Sequence, residues 1–266
     1  MISRVDDSDV IRWGREQARA GPWQGDVRVA YLVPLPGGPA PSVGFVRWAM
    51  AELSARGFSR VVTNALSPIE QVAFLGAGFD VQERLYLLGH DLGHLGSARR
   101  SKGDMADGSV PAGHRRARSA DHRAVLDLDA RAFPTFWHLD QRGLDDAVGA
   151  TPRTRFRVIT EGESVIAYAL TGRARRRGFL QRLAVDPCHR RRGLGRVLVL
   201  DALRWLRRWG TERVAVNTPT GNQAAVALYE SLGFQREPRG LSVLTAPLAS
   251  DLRTRPWVER REGSDR

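Results

Sequence analysis

Residues 179–195 read FLQRLAVDPCHRRRGLG: a strand-like run, an Asp-Pro stop, three consecutive arginines, then Gly-x-Gly at the head of a helix. That order gathers backbone N–H donors and fixed positive charge at one helix N-terminus, which is what a diphosphate requires. Gly193 and Gly195 carry no Cβ, so a phosphate can come close to the main chain and the turn can take angles that other residues resist. Arg190, Arg191 and Arg192 add planar, permanently charged groups suited to phosphate oxygens. Over 193–209 the apolar residues Leu194, Val197, Leu198, Val199, Leu203 and Leu206 cover much of the circumference, leaving Arg196, Arg204, Arg207 and Arg208 to water. The pattern predicts a helix packed into a core. The spacing is neither the dinucleotide fingerprint G-x-G-x-x-G nor a nucleotide P-loop, since no GK[ST] follows.

Arg190-x-x-Gly193-x-Gly195 resembles the pyrophosphate loop of the GNAT superfamily, the acyl-CoA-dependent N-acyltransferases. A second segment agrees. After the strand Arg213–Asn217 comes Asn222-Gln-Ala-Ala-Val-Ala-Leu-Tyr229-Glu-Ser-Leu-Gly233-Phe234, similar to the family's N-x-x-A-x-x-x-Y-x-x-x-G-F helix. The resemblance covers residues 118–248. It implies an α/β (α+β) fold, a mixed and mostly antiparallel sheet flanked by helices, with acetyl-CoA as co-substrate; the six histidines show no ligand spacing, so no metal is expected. By resemblance, the strand before the turn is splayed from its neighbour by a bulge. Leu183, Ala184 and Val185 then pair with the pantetheine arm and polarise the thioester carbonyl. Arg190, Arg191, Arg192, Gly193, Leu194, Gly195 and Arg196 hold the pyrophosphate, and Asn222 meets the pantetheine chain. Tyr229 protonates the departing thiolate; a phenol with a pKa near 10 keeps its proton at neutral pH and can give it up in the transition state.

The general base does not carry over. Some family members place a glutamate where this chain has Asn217, and an amide takes no proton. Glu161, Glu163, Glu230, Asp127, Asp129 and His138 are the remaining candidates, each read as a solvated polar residue. An α-amine of pKa about 7.8 is roughly a quarter neutral near pH 7.4, whereas a lysine of pKa about 10.4 is neutral about once in a thousand. An enzyme without a strong base therefore suits α-amines, with a water chain completing deprotonation. The implied activity is acetyl transfer to a primary amine by direct attack in a ternary complex, with a protein α-amine as acceptor. Asp129–Trp137 resembles the first helix and loop of ribosomal-protein alanine N-acetyltransferases. Two alternatives stand beside it: acetylation of a small amine, as in mycothiol synthase, which shares a tandem layout, and a CoA-binding or RNA-associated module without turnover.

Residues 30–65 align with 183–218 at a constant offset of 153. Pro34 falls on Pro187, Phe45 on Leu198, Val46 on Val199, Ala49 on Ala202, Leu53 on Leu206 and Asn64 on Asn217. After a two-residue slip Phe74 meets Tyr229, and Gly78-Phe79 meets Gly233-Phe234. Matching periodicities predict a tandem pair of related folds. The first copy has lost the chemistry: Gly37, Gly38, Pro39, Ala40 and Ser42 stand where the arginines and glycines of the second copy stand, and Phe74 has no hydroxyl. With about 26 residues before its first strong strand, it is read as truncated, a degenerate partner whose strand 80–88 joins or covers a sheet edge.

The expected organisation is a degenerate GNAT-like half at 1–92, a mobile linker at 93–117 extending to Ser119, a catalytic domain at 118–248 and a charged tail at 249–266. The formal charge is +12, and eight arginines against one aspartate fall between Arg173 and Arg192. This basic run is placed beside the pyrophosphate loop. Arg173, Arg175, Arg176 and Arg177 are open to three readings: a solvated hairpin end, a contact for the cofactor's ribose phosphate, or a patch steering toward acidic peptides or ribosomal RNA. Aromatic residues are not interleaved with this run, as a stacking platform needs. Lys102 is the only lysine, which points to a GC-rich genome. The single Cys188 excludes an internal disulfide and fits a cytoplasmic setting; no apolar run reaches 18 residues, and no membrane partner is expected.

Overall fold

The computed structural model describes residues 10–35, 37–92, 111 and 113–248. In chain order the strands and α-helices are β1 (Val10–Trp13), β2 (Glu16–Trp23), β3 (Asp26–Pro34), α1 (Val43–Ala55), β4 (Arg60–Val62), α2 (Pro68–Ala77) and β5 (Asp80–Asp91). Then follow β6 (Arg115–Arg116), α3 (His122–Ala132), α4 (Gln141–Gly149), β7 (Arg153–Glu161), β8 (Ser164–Ala174) and β9 (Arg177–Val185). The chain continues through α5 (Leu194–Arg208), β10 (Arg213–Pro219), α6 (Gln223–Ser231), β11 (Gln235–Arg236) and β12 (Leu241–Pro247). These elements form two compact units. One comprises Ala65–Pro68 with Glu83–Val243; the other comprises 10–64, Ile69–Gln82 and 244–248.

In the larger unit, β5, β10, β9, β8, β7 and β6 are laid side by side, and β11 adds to β5. Every one of these pairs is antiparallel except β9–β10, so the sheet is mixed and largely antiparallel, as expected. The central strand β8 is buried from Val165 to Gly172 because helices cover both of its faces. On one side Val125 and Leu128 of α3 and Leu144 of α4 pack on Val158, Tyr168 and Ala184. On the other, Leu194 and Leu198 of α5 pack on Ile159, Ala167 and Ala169. Local signals start the helices: Asp140 Oδ1 accepts the Gly143 N–H at 2.7 Å, and Asn222 Oδ1 accepts the Ala225 N–H at 3.2 Å.

In the smaller unit, β1, β2 and β3 form an antiparallel meander, β4 lies parallel to β3, and β12 pairs antiparallel with β4. The order β3–α1–β4–α2, with β3 parallel to β4, repeats as β9–α5–β10–α6 with β9 parallel to β10. Even the stops match: Gly78 after α2 has φ +102° and Gly233 after α6 has φ +87°. The short stretch ahead of β3 holds two strands and, among the described residues, no helix. Strand β5 covers an edge as anticipated, pairing with β10 from Leu85↔Pro219 to Asp91↔Arg213.

Of the expected linker, 93–110 and 112 lie outside the described residues, as does the tail at 249–266. The described end of that linker is not loose. Arg115 and Arg116 pair with Val158 and Arg157, and Arg115 forks onto Asp121 at 2.7 and 2.8 Å. Gly113 lies so near Thr160 that a Cβ would fall 2.0 Å from its carbonyl oxygen. A polar composition misread this segment because its order comes from pairing with β7, which carries no local signature.

Candidate active site

Strand β9 meets β10 only at its start, Arg177–Phe179 against Arg213–Ala215. From Val216 onward β10 keeps only its pairing with β5, which runs its whole length. The parting has a local cause. Along β8, Thr171 faces Leu180 and Leu170 faces Arg182, so Gln181 is an extra residue in β9, a bulge that bends and twists the strand. Beyond it a wedge opens between β9 and β10. Asp186 N–H donates to Ile166 C=O at 2.9 Å, which sets the alternation of the ladder. The amide groups of Leu183 and Val185 therefore turn away from β8 toward the wedge, while those of Ala184 are spent on β8. The expectation that all three present free backbone groups is corrected at Ala184 for this reason.

At the end of β9 the chain enters a 3₁₀ turn, Pro187–His189, with Asp186 Oδ1 accepting the Cys188 N–H at 2.9 Å. Arg191 at φ +63° and Gly193 at φ +76° then bring two left-handed residues into one tight loop. Turns of this kind make concave groups of amides that suit an anion. Helix α5 starts with no capping side chain and no acid in its first turn. The leading N–H groups, at Leu194, Gly195 and Arg196, have no carbonyl four residues back within the helix. Gly195 serves a second purpose: a Cβ there would stand 3.1 Å from Leu228 of α6, so its bareness also lets the two helices approach.

The matching helix start in the smaller unit shows a contrast. At the start of α1, Ser42 caps Phe45 N–H at 3.1 Å, and Glu16 accepts both the N–H and the hydroxyl of Ser42. Its own carboxylate occupies the place of an anion, so this helix start offers no diphosphate site.

The three loop arginines are exposed. Arg190 reaches the Ala132 carbonyl at 3.3 Å. Glu161, in the β7–β8 turn, accepts from Arg192 at 2.9 Å and lies 3.1 Å from His189 Nε2. Arg192, followed by His189, holds its carboxyl below the usual range. Glu161 is therefore no base; it is an internal anion on the loop. Glu161→Gln is expected to tighten CoA binding by about two- to fivefold, the scale of an exposed ion pair, measurable by calorimetry at low salt. Unchanged or weaker binding would show that the pair does not compete with the ligand.

Tyr229 lies in the core of the larger unit among Leu88, Val199, Val216 and Phe234, and Leu183 packs against the same cluster. It is 5% exposed, and burial pushes its phenol above the ordinary value. The wedge strand, the loop helix α5 and the tyrosine of α6 are thus brought together. Asn222 is the N-cap of α6: its Oδ1 is used by Ala225 N–H, and its Nδ2 remains a donor.

Among the other acids, Asp129 departs from the reading as a solvated residue. It is fully buried, accepting from Arg182 Nε and Nη2 at 2.9 Å each, from Leu139 N–H at 2.8 Å, and from the Tyr168 hydroxyl. Glu230 bonds Arg236 at 2.7 Å, and His138 Nε2 lies 3.0 Å from Phe133 C=O. Asn217 is exposed on β10, opposite Leu87. Arg182 and Gln181 carry no signal that sequence reasoning could have used.

The basic hairpin is corrected in place. The Arg175–Arg176 turn and the Arg190–Gly195 loop expected to hold the pyrophosphate sit at opposite ends of nine-residue β9, about 26 Å apart along the strand. It is therefore no contact for a cofactor ribose phosphate. Arg173 of the run lies 5.9 Å over Trp209, the residue that follows α5, and Arg155, outside the run, lies 6.0 Å over Trp205 of α5. Among the described residues no cluster of three or more His, Cys, Asp or Glu gathers, and no helix is long and apolar enough to cross a membrane.

Comparison with known proteins gives this geometry its context. The acetyltransferase (GNAT) family model matches residues 122–234. The [Ribosomal protein bS18]-alanine N-acetyltransferase of Salmonella typhimurium is 32% identical over 116 residues, covering 40% of this chain and 77% of that protein. The protein of that name from Escherichia coli K12 is 29% identical over 117 residues, 41% of this chain and 79% of its own. Human N-alpha-acetyltransferase 30 is 41% identical over 64 residues, 24% of this chain and 18% of that one. A solved tandem GNAT protein from the clavulanic acid biosynthesis pathway shares the fold with TM-score 0.63 at 17% identity, covering 90% of this chain and 82% of its own. With the wedge, the arginine loop and the α6 tyrosine each at its motif position, the chain belongs to the GNAT family of acetyltransferases.

Proposed function

We propose that this acetyltransferase moves the acetyl group of acetyl-CoA to the α-amine of a protein N-terminus, by direct attack in a ternary complex. The observation that carries the reading is the wedge between β9 and β10, which opens immediately before a loop rich in unspent amides and guanidiniums. An extended chain ending in a diphosphate fits that arrangement. The arm lies along Leu183 and Val185, and the diphosphate meets Arg190, Arg191, Arg192 and the amides of Gly193 to Arg196. The Leu183 and Val185 amides orient and polarise the thioester carbonyl. As the amine nitrogen forms its bond to the acetyl carbon, the C–S bond breaks and Tyr229 gives its proton to sulfur. The amine proton leaves to solvent, since Asn217 cannot take it. Asn222 Nδ2 steadies the pantetheine amide, and acetyl-CoA, with no metal, supplies the activated group. Support for a protein α-amine comes from the relatives, which act on ribosomal protein bS18 or carry the name N-alpha-acetyltransferase.

The test is a panel of peptides with free N-terminal α-amines against peptides whose only amine is a lysine side chain. At pH 7.4 the α-amine is expected to be used at least about a hundredfold faster, following the neutral fractions of the two groups. Because burial raises the Tyr229 phenol, kcat/KM is expected to rise as the α-amine deprotonates and to show no falling limb up to pH 10. Equal use of lysine peptides would contradict the proposal, and so would a sharp loss of rate between pH 8 and pH 10.

A further inference from the structure

The far end of α5 carries a surface that acetyl transfer leaves unused. Asp201 and Trp205 share one stripe of α5, and Trp209, the residue that caps the helix, continues it four residues on. Arg155 forks onto Asp201 at 2.7 and 2.8 Å with its guanidinium beside the Trp205 ring. One step further, Arg173 lies over Trp209, whose indole is 53% exposed. The Arg173 Nε is buried and makes no hydrogen bond among the described residues. Arg175 and Arg177 at the β8–β9 turn and Arg204 and Arg208 of α5 are exposed and pair with no carboxylate among the described residues, whereas Arg176 is paired with Glu212. A solvated helix C-terminus accounts for arginines near the end of α5. It does not account for a half-exposed indole that meets Arg173, two residues from the turn and its uncompensated arginines.

We propose that the Trp205–Trp209 stripe of α5 and the β8–β9 turn form a binding surface for single-stranded RNA. Arginines track a phosphate backbone, and an exposed indole offers a base a face to stack on. An acidic peptide needs only the charges and makes no use of the indole. Duplex DNA hides its base faces, and this surface presents no free helix or ribbon to a groove, whereas RNA loops expose unpaired bases. Helix α5 is about 22 Å long, so the surface lies at the opposite end from Gly193 and leaves the arginine-glycine loop open. The proposal does not depend on acetyl transfer.

The experiment uses the full chain and a fluorescein-labelled, mixed-sequence single-stranded RNA of about twelve nucleotides. Anisotropy is read at about 50 and 200 mM salt, together with tryptophan fluorescence. Binding is expected to be saturable, to quench tryptophan emission, and to weaken steeply at the higher salt. Trp209→Ala is expected to weaken it about 10- to 100-fold, Trp209→Phe only slightly, and Arg173→Gln severalfold, each with acetyl-CoA affinity unchanged. Absence of binding at the lower salt would overturn the proposal. So would wild-type RNA affinity in Trp209→Ala, or displacement of RNA by polyglutamate at equal charge, which would mark a face for acidic proteins instead.

Discussion

Tyr229→Phe is expected to lower kcat by about 10²-fold or more while leaving the dissociation constant for acetyl-CoA unchanged. The substitution removes one oxygen from a side chain packed among Leu88, Val199, Val216 and Phe234, so the fold and the loop keep their geometry. What disappears is a proton donor. The thiolate then leaves without one, or takes its proton from water. The raised phenol strengthens the prediction, because the hydroxyl stays protonated across the whole working pH range. Steady-state rates and calorimetry on both proteins decide the matter. A loss of less than about threefold would move the acid role away from Tyr229.

The second large effect concerns stability. Asp129 has no exposure, and the Arg182 guanidinium supplies two of its hydrogen bonds, covers the Phe133 ring at 3.7 Å and donates to the Trp137 carbonyl. Arg182→Ala leaves a carboxylate buried with only Tyr168 and Leu139 as donors. A buried pair broken in this way costs about 3–5 kcal/mol. Urea unfolding is expected to show a loss of about 3 kcal/mol, and a double-mutant cycle with Asp129→Asn a coupling above about 1 kcal/mol. A loss under about 1 kcal/mol would mean that water reaches the carboxylate once the guanidinium is gone. The same pair anchors α3 to the loop holding Phe133 and Trp137.

How far these features could be read in advance depends on range. The arginine-glycine turn, the helices on either side of Arg213–Asn217 and the offset between the two copies are local patterns, and all were legible. Gly193 needed its positive φ for a reason visible in the spacing alone. The wedge was anticipated only through family likeness, because a bulge at Gln181 leaves no mark in composition or periodicity. The same holds for Asp129, which looks like a helix-surface acid until Arg182, fifty-three residues on, closes over it. Eight arginines in one run suggested one electrostatic patch, yet a nine-residue strand separates its ends, and the indole beside Arg173 comes from the residue that follows α5. Sequence neighbours on a strand point at different things in space; charge counted along the chain says little about where it acts.

In the proposed reaction the loop from Arg190 to Arg196 holds the diphosphate of coenzyme A, and isothermal titration of the full chain with CoA reads that contact. Alongside runs the variant in which Arg190, Arg191 and Arg192 are all glutamine. Saturable one-to-one binding is expected, weakened at least tenfold in the variant and reduced by added salt. No heat with the natural chain, or equal affinity in the variant, would contradict the account.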